Sequence, residues 1–343
     1  MAGMAELAPV SLLITLQFPE QQLERIRAVS PRLKIHMHPA RSSSEIPTGL
    51  LMDVEVLYTA RVLPEPEAVP NLRWIQLHFA GVDHVAEDPL IRSGVTVTTL
   101  SGAAVPQMVE FALMAILGLG RRLPLMMLDK VQKHWAEDRF ERFEPRELRG
   151  STVGIVGYGS VGREIARVCR AMGANVLATK RDLKHLDDVG YMPEELGDLG
   201  AELVERLYPP QALRSMASLC DYLVVTLPLT AETRGIVDKR VLLSLKPSAF
   251  LIDLSRGGVI DHGALIEVLN ENRLAGVALD VYPVEPLPES SPLWDMPNVI
   301  LSPHVAGASR NYLERATDLF VENLHRYLAD QALLNRFDPQ RGY

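Results

Sequence analysis

One short segment, Gly157-Tyr158-Gly159-Ser160-Val161-Gly162, constrains what this chain can fold into more than any other feature. It follows directly on the apolar run Thr152–Val156 and opens a helical stretch over residues 164–172. In that context each glycine has a physical reason. Gly157 permits a tight turn, Gly159 lets the backbone approach a pyrophosphate, and Gly162 lets helix and strand pack closely. The helix N-terminus offers N–H groups and a positive dipole end to the phosphates. The segment therefore reads as a strand–turn–helix unit for a dinucleotide, with Gly157, Tyr158, Gly159, Ser160, Val161 and Gly162 lining it. A glycine-rich turn with no ligand is the alternative.

The end of the next strand narrows the ligand. A site for NAD normally carries Asp or Glu there, roughly 20 residues on, to hold the ribose 2′-hydroxyl. Here residues 175–178 run into Thr179-Lys180-Arg181, two cations and no acid. A 2′-phosphate is anionic, and arginine meets it with a bidentate fork. Thr179, Lys180 and Arg181 thus predict NADP(H) as the preferred cofactor, with NAD(H) possible. Two cations on a solvated strand end are the plain alternative.

The rest of the chain fits around this unit. Its 343 residues suit two domains. Apolar runs at residues 12–16, 33–38, 54–58, 72–77 and 95–99, bounded by Pro, Gly or Asn, alternate with helical stretches over the first hundred residues. That rhythm means a parallel sheet covered on both faces. Residues 105–119 are almost wholly apolar with helical spacing and predict a long buried helix; residues 121–149 are polar and charge-rich around Trp135. Beyond Gly162 the strand rhythm resumes at 175–178, 222–227, 249–254, 276–279 and 299–301. The interval from Arg181 to Ser218 is long for a crossover; it reads as an irregular excursion followed by one helix from Gln211. Residues 309–328 form a last helix that crosses back to the first domain. The expected domains are therefore a discontinuous one, residues 1–102 with 306–343, and a dinucleotide-binding one, residues 103–305.

Composition excludes several classes. Net charge is −8 and no Lys/Arg block exists to track a phosphate backbone, so no nucleic acid is expected as a partner. No run approaches the roughly 18 apolar residues of a membrane span, and no membrane partner is expected. Cys169 and Cys220 read as small buried hydrophobes without a disulfide, which suits a cytoplasmic location. No metal site is expected.

Three polar residues sit on strand-to-loop junctions of the second domain. Arg256 follows an apolar strand and precedes two glycines; Glu285 stands between Pro283 and Pro286; His304 follows Pro303. Ligands of doubly wound sheets bind at that carboxyl edge. An arginine there can hold a carboxylate, and a rigid glutamate can orient an imidazole for proton transfer. Taken singly, each has a structural alternative: an ion pair for Arg256, a core histidine for His304.

With these residues the chain resembles the D-isomer-specific 2-hydroxyacid dehydrogenases, over almost its whole length and most specifically from Phe250 to Pro288 and at Ser302-Pro303-His304-Val305-Ala306-Gly307. The resemblance implies two doubly wound parallel-sheet α/β domains, a Rossmann cofactor domain and a flavodoxin-like substrate domain, with a cleft between them. It implies that Arg256 holds the substrate carboxylate and polarises the carbonyl, that His304 donates the proton, and that Glu285 bonds His304. It assigns His78, Ala80, Gly81 and Val82 to the substrate loop, with the N–H groups of Gly81 and Val82 gripping the carboxylate. It assigns Leu227, Pro228, Thr233, Leu254, Ser255, Arg256, His304 and Gly307 to the cofactor's surroundings, and Asp280 to the nicotinamide carboxamide, where a strand-end cap is the plain alternative. The implied reaction is reduction of a small 2-oxo acid, such as glyoxylate or hydroxypyruvate, to a D-2-hydroxy acid by a homodimer. A phosphoglycerate dehydrogenase-like enzyme and a dinucleotide-sensing corepressor-like protein remain alternatives. The excursion after Arg181 exceeds what most members carry.

Overall fold

Five short apolar strands form the first sheet: β1 (Val10–Ile14), β2 (Leu33–Met37), β3 (Val56–Thr59), β4 (Trp74–Leu77) and β5 (Thr96–Thr98). All pair in parallel, in the order β2-β1-β3-β4-β5, which is the flavodoxin-like winding. The central strands β3 and β4 are buried on both faces, as a parallel sheet between helices requires. The computed structural model describes residues 8–188 and 190–342.

The chain divides into two compact units. One comprises the described residues up to Ala103 together with those from Ser309 onward; the other is Ala104–Ala308. The first unit is thus closed by chain from both directions. Helix Tyr312–Leu328 buries Leu319, Phe320 and Leu324, and the Phe320 ring meets Tyr58 at 4.8 Å and Trp74 at 5.4 Å. Asn335 then bonds back to the carbonyl of Ser101 at 2.7 Å.

The second unit holds seven parallel strands: β6 (Thr152–Val156), β7 (Asn175–Thr179), β8 (Arg206–Tyr208), β9 (Tyr222–Val225), β10 (Phe250–Asp253), β11 (Gly276–Leu279) and β12 (Val299–Leu301). Their order is β12-β11-β10-β9-β6-β7-β8, a Rossmann winding whose strand order reverses between β6 and β9. The glycine motif leaves β6 at that switch point. The expected buried helix is Val105–Gly120. Cys169 and Cys220 are free and buried, and burial pushes both thiols up to about 12.

Three stretches differ from the sequence expectation. The excursion after Arg181 contains β8, three residues that become a strand only by pairing with β7. The helix placed from Gln211 is a 3-10 turn, Pro210–Ala212, followed by a short helix, Leu213–Ala217. The charge-rich stretch after residue 120 contains helix Leu123–Gln132, bent 67° from its predecessor, and a single helical turn, Arg139–Arg142. No single helix among the described residues is long and apolar enough to cross a membrane.

Candidate functional site

The glycine motif has the geometry that a pyrophosphate needs. Gly157 sits at φ +109, a conformation that L side chains rarely adopt, and its N–H donates to Thr179 Oγ1 at 3.1 Å. A Cβ on Gly162 would stand 2.3 Å from the Gly157 carbonyl oxygen, so only glycine lets the helix cross the strand here. A Cβ on Gly159 would meet nothing within 4 Å. That open side of Gly159 is the space a close-lying phosphate would take, and the residues fit a dinucleotide. Helix Ser160–Ala171 begins at Gly159 with no side chain capping it, so its first N–H groups are left to a ligand.

Two loops flank this turn. On one side β7 ends at Thr179, and the Lys180 N–H donates to the Tyr208 carbonyl at 3.0 Å. Arg181 follows and reaches across to Glu232 at 3.1 Å. On the other side, the loop after β9 is knit by its own hydroxyls: Thr233 Oγ1 donates to the Pro228 carbonyl at 2.6 Å and accepts from the Thr230 N–H at 2.8 Å. Leu227 stands beside Gly157, close enough that a Cβ there would lie 2.9 Å from a Leu227 methyl.

The arginine, glutamate and histidine come together on the exits of β10, β11 and β12. Arg256 is half-buried and donates through Nη1 to the Ser255 carbonyl at 2.8 Å. The chain turns away after it because Gly257 lies against the Tyr282 carbonyl, where a Cβ would be 1.8 Å away, and Gly258 takes φ +117. Glu285 accepts the Tyr282 N–H at Oε1, 3.0 Å, and bonds His304 Nδ1 at Oε2, 2.9 Å. With Nδ1 occupied, His304 Nε2 has no hydrogen-bond partner among the described residues. His304 stands at φ +54, a strained setting for a residue with a Cβ.

Asp280 is what holds that backbone. Its Oδ1 accepts from Ser302 Oγ at 2.7 Å and the Val305 N–H at 2.8 Å, and its Oδ2 from the Ala306 N–H at 2.9 Å. The residue expected at the nicotinamide thus also clamps the loop carrying His304. Gly307 is tied by its carbonyl to Gln107 Nε2 at 2.9 Å. Below Arg256, Asp253 is fully buried and accepts from Ser255 N–H at 3.0 Å and from Ser255 Oγ, all at Oδ1, leaving Oδ2 without a partner. Burial raises its carboxyl to about 7, with the Asp280 charge adding to the rise. Leu254 packs in the core beneath these residues. Sequence reasoning gave no role to Tyr282, Ser302 or Asp253, although all three lie inside the stretches Phe250–Pro288 and Ser302–Gly307 that carry the resemblance.

In the first unit, His78 is a different object. Its Nδ1 lies 2.7 Å from the Tyr58 hydroxyl, its carbonyl accepts from Tyr312 at 2.7 Å, and burial lowers its imidazole to about 4. The N–H groups of Ala80, Gly81 and Val82, which follow it, have no hydrogen-bond partner among the described residues. Successive free N–H groups of this kind suit an anion. No group of three or more His, Cys, Asp or Glu among the described residues is arranged to hold a metal.

Residues 113–306 match the family model of the D-isomer specific 2-hydroxyacid dehydrogenase NAD-binding domain. The chain belongs to the D-isomer specific 2-hydroxyacid dehydrogenases. It is 30% identical over 324 residues to the glyoxylate reductase of Thermococcus kodakarensis, covering 91% of each chain. Among solved structures it is similar to a D-isomer specific 2-hydroxyacid dehydrogenase of Xanthobacter autotrophicus Py2 in complex with NADPH and MES. There the identity is 30%, the TM-score 0.81 and the coverage 98% of this chain and 100% of that one. It is also similar to the NADPH-dependent glyoxylate/hydroxypyruvate reductase of Sinorhizobium meliloti in complex with NADP and sulfate, at 25% identity and TM-score 0.76, covering 97% and 100%. This dehydrogenase is an NAD(P)-dependent oxidoreductase acting on CH–OH donors.

Proposed function

We propose that this dehydrogenase reduces a small 2-oxo acid, of glyoxylate or hydroxypyruvate size, to the D-2-hydroxy acid, with NADPH preferred over NADH. The observation that carries the reaction is the Glu285–His304 bond at 2.9 Å, on strand exits neighbouring the one that carries Arg256. When bound, the nicotinamide supplies the hydride that reduces the carbonyl carbon. His304 gives its Nε2 proton to the carbonyl oxygen, while Glu285 holds Nδ1 and so fixes the orientation of the ring. Arg256 binds the carboxylate and stabilises the charge that develops on the oxygen. Asp280 keeps His304 in place through the Val305 and Ala306 N–H groups, and its free lone pair serves the carboxamide. The unpartnered N–H groups of Ala80, Gly81 and Val82 support their assignment to the substrate carboxylate.

The cofactor preference rests on Lys180 and Arg181 at the end of β7, where no carboxylate stands to receive a 2′-hydroxyl. The small substrate is supported by the relatives that bear the name glyoxylate reductase. A homodimer is supported by exposed apolar side chains on and after the bent helix pair, among them Met127, Val131, Trp135 and Phe140. The buried free thiols support a reducing, cytoplasmic setting.

The test is oxidation of NADPH and of NADH by the purified protein with glyoxylate, hydroxypyruvate, pyruvate and phenylpyruvate. Turnover of glyoxylate or hydroxypyruvate, faster with NADPH, is the expected result. Lys180→Asp should then shift preference toward NADH; an unchanged preference overturns the strand-end reading. Cofactor binding without turnover of any oxo acid overturns the reductase and favours a sensor.

A further inference from the structure

Residues 181–205 leave β7 at its carboxyl end and return only at β8, and the reaction gives them no task. They are nevertheless fastened to the cofactor motif itself. Arg163, the residue after Gly162, is fully buried. Its guanidinium donates to the Leu199 carbonyl at 3.0 Å and to the carbonyls of Leu186 and Asp198. It stands 3.4 Å from the Asp188 carboxylate and 4.9 Å over the Tyr158 ring. The Tyr158 hydroxyl donates to Asp198, whose carboxylate also accepts the N–H groups of Glu202 at 2.8 Å and Leu203 at 2.9 Å. Glu164, buried beside it, accepts the Gly197 N–H at 2.7 Å. A buried guanidinium is tolerated only where its N–H groups find acceptors; the acceptors of Nη1 and Nη2 all come from the excursion, and Nε, which lacks a hydrogen bond, faces the Asp188 carboxylate from there too.

The segment that this arginine holds begins and ends at the expected 2′-phosphate end. Lys180 starts the excursion and Tyr208 ends it, and the two are joined by a 3.0 Å backbone bond. Burial lowers the Lys180 amine, with the Arg163 charge acting in the same direction and Asp188 and Asp182 opposing it. Anchored at its middle by Arg163 and at its ends by β7 and β8, the segment has one course past the strand end.

We propose that Arg163 is a positioning residue for the cofactor's 2′-phosphate: from the first turn of helix Ser160–Ala171 it pins Leu186, Asp188, Asp198 and Leu199 and so sets where Lys180 and Arg181 stand. The inference rests on the NADP(H) reading of that strand end. It makes the long excursion a specificity element of the cofactor site, and Arg163 acts through other residues without touching the ligand.

The experiment is equilibrium titration of NADPH and of NADH, by nicotinamide fluorescence, into wild type, Arg163→Met and Asp198→Asn, with a melting curve for each. In Arg163→Met, NADPH should weaken about tenfold, the scale of one charge-assisted hydrogen bond to phosphate. NADH should weaken by less than about threefold, so that the ratio falls, and kcat at saturating NADPH should stay within about threefold of wild type. Asp198→Asn keeps the shape and should move the ratio the same way by less. A loss shared equally by both cofactors, or an unchanged ratio in a folded variant, overturns the inference. Should Arg163→Met not fold, Asp198→Asn decides it by the same criterion. A wild type that binds NADH as tightly as NADPH overturns the strand-end reading itself, a result distinct from an unchanged ratio in the variants.

Discussion

His78 follows β4 in the first unit and His304 follows β12 in the second, and their surroundings are opposed. His78 is half-buried, its Nδ1 rests on the Tyr58 phenol, and desolvation drives its imidazole down to about 4. At neutral pH it is an uncharged hydrogen-bonding ring. The side chain of His304 is 41% exposed and its Nδ1 rests on the Glu285 carboxylate. The phenol ties the His78 ring into its own unit, whereas the carboxylate orients the His304 ring through Nδ1 and leaves Nε2 to exchange a proton. Position at a strand exit is common to both; the partner decides whether the ring shapes a site or moves a proton.

The comparison is broken most directly by exchanging the rings for inert side chains. His304→Ala should lower kcat by roughly 10²–10⁴-fold, the usual loss of a general acid. His78→Asn should act mainly on KM and leave kcat within about tenfold, since no proton passes through it. Steady-state kinetics with the preferred oxo acid measures both; a larger kcat loss for His78→Asn would invert the assignment. Next in size is Asp280→Ala, which frees the Val305 and Ala306 N–H groups and lets His304 leave its φ +54 backbone. We expect about a tenfold to hundredfold loss in kcat, the scale for a catalytic group misplaced by about an ångström, with Glu285 and His304 both intact.

The smallest effects are on stability, and the two units should respond to pH in opposite senses. His78 has a folded value near 4 against 6.5 in the unfolded chain. The unfolded state then binds more protons between these values, so the His78 contribution, on the order of 2–3 kcal/mol, is present above pH 6.5 and lost as pH falls toward 4. Asp253 has a folded value near 7 against 3.8 unfolded. Here the folded state keeps the proton longer, and a few kcal/mol present below about pH 4 is lost as pH rises to about 7. Melting curves of His78→Asn and Asp253→Asn against wild type from pH 4 to 8 should each remove one of these slopes. Parallel slopes in wild type and variant would show that the group does not titrate in this range.

The carboxyl-edge residues were legible because their local sequence already narrows the backbone. Arg256 precedes two glycines, Glu285 sits between prolines, and His304 follows one. The glycine motif was legible because turn, approach and packing each demand glycine. What the sequence hid depends on partners far along the chain. Tyr58 and Tyr312, whose hydroxyls bond the His78 ring and its carbonyl, lie 20 and 234 residues away from it. Asp198 is one acid among many in the excursion until Tyr158, 40 residues earlier, turns out to bond it. Strand β8 has an exposed arginine, a half-buried leucine and a buried tyrosine, too short a run for periodicity to register. Helix Leu123–Gln132 went unseen because its Leu and Met side chains are largely exposed and leave no buried stripe.

The first unit is closed by the last part of the chain, and that has a consequence for how the protein is made. Residues 104–308 form one unbroken stretch, so the second unit can complete itself while synthesis continues, as domains generally do. The first hundred residues leave the ribosome earlier yet wait longer, because Phe320, which covers the Tyr58 and Trp74 rings, emerges only after the whole second unit. A nascent chain stalled before Tyr312 would therefore present a finished cofactor unit joined to a sheet with its aromatic face bare, the form of this protein that a chaperone would recognise.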